Sequence, residues 1–219
     1  DVLREAVDGL RGEALVSVMW ANNETGVISP LAEIAAVVAE ARTAGKKVWL
    51  HTDATQAVGK LPVDVQAIGV DLLSFAGHKF HGPKGIGGLW LRRGVRVRPQ
   101  QIGGPQETER RGGTENVPGV IGRGVAAEAA AEFVQDAAAV SVLRERRDRL
   151  ETKVKQALAR RVEVTVNSGE TGIPRLWNTT NLGFRGLEAE AILLGLSERG
   201  VCASAGAATR AFPAERSAS

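Results

Sequence analysis

Leu73-Ser74-Phe75-Ala76-Gly77-His78-Lys79-Phe80-His81-Gly82-Pro83-Lys84-Gly85 begins as an apolar run and ends among glycines, a proline and cations. The pattern reads as a strand that delivers a lysine into a glycine-rich turn. Upstream, Lys47 to His51 is another apolar run, and it leads into Asp53 within His51-Thr52-Asp53-Ala54-Thr55-Gln56. Leu15 to Ala21, Val70 to Phe75 and Gly87 to Leu91 have the same character, with glycine or charge at their borders. Strands that are apolar throughout read as buried on both faces. The sequence therefore predicts an α/β fold with a mostly parallel central sheet flanked by helices.

Between the first two strands, Asn22-Asn23-Glu24-Thr25-Gly26 is a turn. Ser29 is expected to cap a helix whose first turn takes Pro30. Apolar residues at 31, 34, 37, 38 and 41 recur at helical spacing until Gly45 stops it. From Gly103 to Pro118 the pattern breaks into a long polar, glycine-rich loop of the kind that is often functional. Val125 to Ala139 and Leu143 to Arg160 read as helices bridging to a second lobe. Residues 1–137 are assigned to a large domain and 138–219 to part of a smaller α+β C-terminal domain. That second part reads as strands at Val162 to Val166 and Trp177 to Phe184, a helix at Glu188 to Arg199, and a last short strand near Val201.

The 219 residues are 43% apolar, enough to bury a substantial core. An excess of 28 basic over 25 acidic side chains, with no long block of either sign, points to no nucleic-acid partner. The single cysteine, Cys202, excludes an internal disulfide framework and a multi-cysteine metal site and suits a reducing compartment. No run approaches the ~20 apolar residues of a membrane span, and the start lacks a signal-peptide layout. A cytoplasmic location without membrane attachment is the expectation. The only methionine is Met19, so a chain starting at Asp1 reads as a piece of a longer protein.

A strand that hands a lysine to a glycine-rich turn, beside a strand ending in an aspartate, is what pyridoxal phosphate (PLP) chemistry requires. The lysine would form the Schiff base, and the acid would keep the pyridine nitrogen protonated. Asp53 taken alone reads equally as a cap or turn aspartate. Gln56 is placed to donate to the cofactor's phenolate oxygen, or is simply solvated. A lysine at the end of a buried strand would need a partner or a covalent bond, which sets Lys79 apart from a surface lysine. His78 either meets phosphate or packs. Asn23 stands at the same sheet edge, able to bond a substrate carboxylate or the cofactor, or to close its own Asx-turn. Arg110, Arg111 and Thr114 carry donors suited to an anion, or form a solvated basic loop.

Taken together, these segments resemble the cysteine desulfurases of the NifS/IscS type, in the class V aminotransferase group of fold-type I PLP enzymes. Four motifs carry the resemblance: Asn22 to Gly26, His51 to Lys60, Gly77-His78-Lys79 with Gly82 to Gly85, and Arg111-Gly112-Gly113-Thr114-Glu115-Asn116. The resemblance implies that Lys79 is the Schiff-base lysine, that Asp53 pairs with the pyridine nitrogen and that Gln56 bonds the ring hydroxyl. It further implies roles for Asn23 at the ring and substrate carboxylate, for His78 at the phosphate, and for Thr114 at the phosphate of a neighbouring subunit. A homodimer follows. The substrate would be L-cysteine, with alanine and an enzyme persulfide as products and a sulfur-acceptor protein as a further partner. A related lyase such as a selenocysteine lyase, or a catalytically dead scaffold, are the other readings.

Three departures from the family stand out. Ala76 occupies the place of a phosphate-binding serine. Thr209 stands where Gly200 to Thr209 aligns with a segment ending in the nucleophilic cysteine, and a hydroxyl cannot accept sulfur as a thiol does. Cys202 falls earlier and reads as a buried structural thiol. The family's N-terminal phosphate loop and its ring-stacking histidine have no counterpart before Asn22, and its distal substrate-binding arginine would lie beyond Ser219.

Overall fold

The apolar runs of the first half become four strands of one sheet. The computed structural model describes residues 2–168 and 172–206. They begin with α1 (Val2–Asp8), β1 (Ala14–Met19), α2 (Leu31–Thr43), β2 (Val48–Asp53), α3 (Val65–Ile68) and β3 (Leu72–Ala76). A 3-10 turn (Gly77–Phe80) and β4 (Gly87–Leu91) follow, then the short strands β5 (Pro105–Gln106) and β6 (Arg111–Gly112). The chain continues through α4 (Val117–Gln135), α5 (Ala137–Leu158), β7 (Val164–Val166), β8 (Leu182–Phe184) and α6 (Ala189–Ser197).

The sheet order is β1-β2-β3-β4, parallel across the first three strands and antiparallel between β3 and β4. The link between β3 and β4 is shorter than the dozen or so residues a parallel crossover takes, so the chain returns antiparallel. One face of the sheet is covered: Val48, Leu50, Thr52 and Leu73 are buried beneath Leu31, Val38 and Ala41 of α2. Among the described residues nothing covers the other face, whereas strands buried on both sides were the expectation. Leu15, Met19 and Leu89 on it are exposed, and β1 alternates half-buried and exposed along its length.

Gly45 ends α2 as expected, at φ 83°, with Gly45 N–H donating to Arg42 O and Lys46 N–H to Ala41 O. This is a Schellman close, which favours glycine. Ser29 does not cap α2; its Oγ donates to Met19 O at 2.7 Å and ties the loop back to β1. The break between the two long helices falls at Asp136, whose Oδ1 accepts from Ala139 N–H at 2.9 Å. Asn116 likewise caps α4 through Gly119 N–H at 3.1 Å, so that helix starts earlier than its apolar spacing suggested. The strand expected from Trp177 shrinks to β8, and Val201 sits outside any strand, its N–H closing the end of α6 on Leu196 O.

Ser168 and residues 174–177 are stitched onto the first half of the chain. Ile28 N–H donates to Pro174 O at 2.9 Å, Leu176 N–H to Gly26 O at 2.8 Å and Ser168 Oγ to Thr25 O at 2.9 Å. Behind this seam Arg175 forks onto Glu151 with two contacts of 2.6 Å, and Thr180 Oγ1 adds a third of 2.6 Å. Burial alone would raise the Glu151 carboxyl. Hydrogen bonds from Arg175 and Thr180, with the charges of Arg175 and Arg147, instead bring it below its usual 4.5. A carboxylate lowered on folding contributes stability above its unfolded pKa and loses it as pH falls through the folded one. Glu151 therefore makes this seam acid-sensitive. Urea unfolding between about pH 6 and pH 3 should show a shallower loss of stability in Glu151→Gln than in the wild type. Equal slopes would assign the acid sensitivity to other groups.

Candidate functional site

The carboxyl ends of β1, β2 and β3 bring Asn23, Asp53, Gln56, His78 and Lys79 to one edge, the side on which open α/β sheets bind ligands. Asp53 is in register with Met19 on one side and Ser74 on the other, and Ser74 in turn pairs with Leu89. It is half-buried, and its Oδ1 accepts from Thr55 N–H at 2.9 Å. The turn role and the ligand role are thus compatible, because only one carboxylate oxygen is used by the turn.

Lys79 lies in the 3-10 turn directly after β3. The loop is closed at its neck by two bonds, Gly77 N–H to Ile86 O and Gly82 N–H to Gly77 O, both 2.9 Å. A Cβ at Gly82 would meet Gly77 O at 2.9 Å, so only glycine closes this neck. From the other side, Arg123 on α4 lies 5.6 Å from the Phe75 ring centroid and donates to Gly87 O at 2.6 Å, clamping the base of the loop. Lys79 itself is exposed. The lysine expected to need a partner at the end of a buried strand therefore has a solvent-exposed side chain.

That burial penalty falls on Lys60, which sequence reasoning passed over. Lys60 is 8% exposed, and its Nζ donates to Lys79 O at 3.2 Å and to Gln56 Oε1 at 3.5 Å. Gln56 is half-buried, and this contact engages its carbonyl end. Lys60, Lys79, Gly59, Phe80, Phe133 and Trp177 line a cleft of about 730 Å³. A larger cleft of about 940 Å³ lies on the far side of Lys60, against Arg147, Glu151 and Arg175. There Arg175 is paired with Glu151 and Asp148, and Arg147 with Asp148.

The remaining residues are less closely joined. Asn23 is exposed; it is Asn22 that forms the Asx-turn, its Oδ1 accepting from the N–H groups of Glu24 and Thr25 at 2.9 Å each. His78 is exposed, which removes the packing alternative. Arg110 and Thr114 are exposed beside the β5–β6 ribbon, and Arg111 is bonded to Gln101. No described hydrogen bond ties Thr114 or Arg110 to Lys79. The ribbon tip holds Glu107, Thr108 and Glu109 at φ 51°, 59° and 64°, three successive left-handed residues without glycine. Such strain concentrates at functional segments. Cys202 is exposed, which overturns its reading as a buried thiol. Thr209 lies outside the described residues.

Residues 4–217 match the aminotransferase class-V family, and the chain belongs to it. A cysteine desulfurase of Trichormus azollae is 49% identical over 195 residues, 89% of this chain and 46% of that protein. Among solved structures, a NifS-like protein from Rickettsia africae superimposes with a TM-score of 0.84 at 30% identity, covering 94% of this chain and 54% of that one. SspA, solved in complex with cysteine, gives 0.68 at 31% identity, covering 94% and 53%. The chain spans about half the length of the curated relatives it matches.

The residues present fit the ring and aldehyde of PLP better than its phosphate. An aspartate with one oxygen to spare, an amide and an exposed primary amine suit the former. On the phosphate side Ala76 offers no hydroxyl.

Proposed function

We propose that this chain is the central cofactor-binding part of a PLP-dependent cysteine desulfurase acting on L-cysteine. The observation that carries the reading is the meeting of Asp53, Gln56 and the Lys79 turn at the carboxyl ends of parallel strands. Family membership and the relatives named above support it.

In this reading Lys79 holds the cofactor's aldehyde, Asp53 its pyridine nitrogen and Gln56 its ring hydroxyl. Asn23 faces ring and substrate carboxylate, while His78 and, from the second subunit of a homodimer, Thr114 hold the phosphate. When bound, PLP supplies an electron sink for the bonds around the substrate's α-carbon. Asp53 contributes a fixed negative charge that keeps a proton on the ring nitrogen. The Lys79 amine, exposed at the sheet edge, would also be available to hold or move a proton at the substrate. Sulfur transfer further needs a thiolate, and Thr209 supplies a hydroxyl of far lower acidity. That substitution favours a second reading for the chain as it stands, a protein that binds PLP without desulfurating.

Titrating the purified chain with PLP should produce an absorbance band near the visible edge that borohydride abolishes. L-cysteine with a reductant should then release little or no sulfide. A chain that gives no such band would refute the cofactor reading, and sulfide release at the rate of an intact relative would refute the predicted impairment.

A further inference from the structure

Lys60 is a buried cation beside an exposed one. Its Nζ donates to two neutral oxygens, Lys79 O and Gln56 Oε1, and among the described residues no carboxylate lies within ion-pair distance. A buried ammonium without a counter-charge is unfavourable, and an apolar side chain of similar length would fill the space at less cost. Burial, with the Lys79 charge adding to it, brings its pKa down to about 8. The group persists despite the penalty, which points to what it holds.

It holds three things at once. The last carbonyls of a helical turn have no partner within it, and Lys60 takes the one belonging to residue 79. By engaging the carbonyl end of Gln56 it leaves the NH2 end as the free donor. Its own carbonyl accepts from Trp177 Nε1 at 3.0 Å, which anchors it to the later part of the chain. Gly59, at φ 77°, allows this closeness: a Cβ there would lie 2.5 Å from Phe80 Cβ, so the segment carrying Gln56 and Lys60 packs directly on the Lys79 turn.

We propose that Lys60 is a positioning residue that fixes the Lys79 turn and the Gln56 amide as one unit, so that amine and amide face the cofactor together. The proposal rests on the reading of Lys79 as the cofactor lysine.

The test uses the 219-residue chain with PLP. The lysine nitrogen joins the aldehyde carbon with loss of water, borohydride delivers the hydride that fixes the bond, and peptide mass spectrometry reads the pyridoxyl group at each lysine. In Lys60→Met, with wild-type circular dichroism and thermal midpoint, labelling at Lys79 should fall about tenfold or more, the scale of one lost hydrogen bond to a charged group. Exposed lysines such as Lys84 should label as before. Lys60→Arg, which keeps a cationic donor, should restore most of the loss. Lys60→Gln, polar and one bond shorter, gives the same comparison where Lys60→Met does not fold. Wild-type labelling of Lys79 in a folded Met or Gln variant, or no recovery in a folded Arg variant, overturns the proposal. Wild-type protein that labels Lys79 no faster than Lys84 would instead defeat the cofactor reading, a distinct result.

Discussion

Lys79→Ala should abolish covalent PLP attachment, reducing the near-visible band to background, while Lys84→Ala leaves it intact. Only a primary amine can condense with the aldehyde, so the loss should be complete rather than graded. The structure distinguishes the two lysines clearly. Lys79 follows β3 at the edge that carries Asp53, in a loop closed at Gly77 and clamped from α4. Lys84 lies at the exposed far end of the same loop. Both side chains are solvent-exposed, so exposure alone would label them alike, and any preference for Lys79 must come from ligand groups placed around it. Lys60 is the one nearby amine able to compete, with its pKa near 8 and its place beneath the turn. A residual band in Lys79→Ala that maps to Lys60 would mean the cofactor enters from the cleft below the turn. A residual band that maps elsewhere would mean nonspecific binding. Either outcome would sink the assignment of Lys79.

Much of the site was legible because its signals are local. An apolar run ending in a glycine-rich turn identifies β3 and the Lys79 loop, and the run before Asp53 identifies β2; both need only neighbours in sequence. Gly45 at the end of α2 is readable for the same reason. What escaped depends on contacts made across the chain. Lys60 looks like a surface lysine until Trp177, 117 residues away, closes over its carbonyl. Ser29 matches a helix cap in type, but the nearby Met19 carbonyl takes its hydroxyl instead. Asp136 and Asn116 are cap residues by type, yet apolar spacing alone starts both helices later in the chain. The burial of Cys202 was inferred from how cysteines behave on average, and average behaviour says nothing about one loop. The open face of the sheet escaped for a related reason: Leu15, Met19 and Leu89 are apolar enough for burial, yet whether anything covers them is a tertiary matter.

Asp71→Ala should destabilise the fold by about 3–5 kcal/mol, the range for removing one partner of a buried ion pair. The Asp71 side chain is 0% exposed and sits where four segments meet. Its Oδ2 accepts from Leu50 N–H at 2.7 Å and from Arg42, and its Oδ1 lies 2.5 Å from Arg92. Arg42 closes α2, Leu50 lies mid-β2, Asp71 precedes β3 and Arg92 follows β4, so one carboxylate joins the covering helix to three strands. The two cations are not equivalent. The Arg92 side chain is 51% exposed and can return to water, whereas Arg42 is 27% exposed and also donates to Val48 O at 2.8 Å. The larger share of the loss therefore comes from Arg42 and from the buried Leu50 amide, which alanine leaves unpaired. Asp71→Asn, which keeps an acceptor for that amide, should lose less, and Arg92→Ala least of all. Domains are stable by only about 5–15 kcal/mol, so the alanine variant should show a large drop in its urea midpoint. Where enough of it remains folded at low temperature, PLP should still label Lys79 at the wild-type rate, because Asp71 acts through the sheet and touches no group of the site. An unchanged midpoint would show that the carboxylate is dispensable. Slower labelling of a folded Asp71→Ala protein would show that the sheet deforms far enough to separate Asp53 from the Lys79 turn.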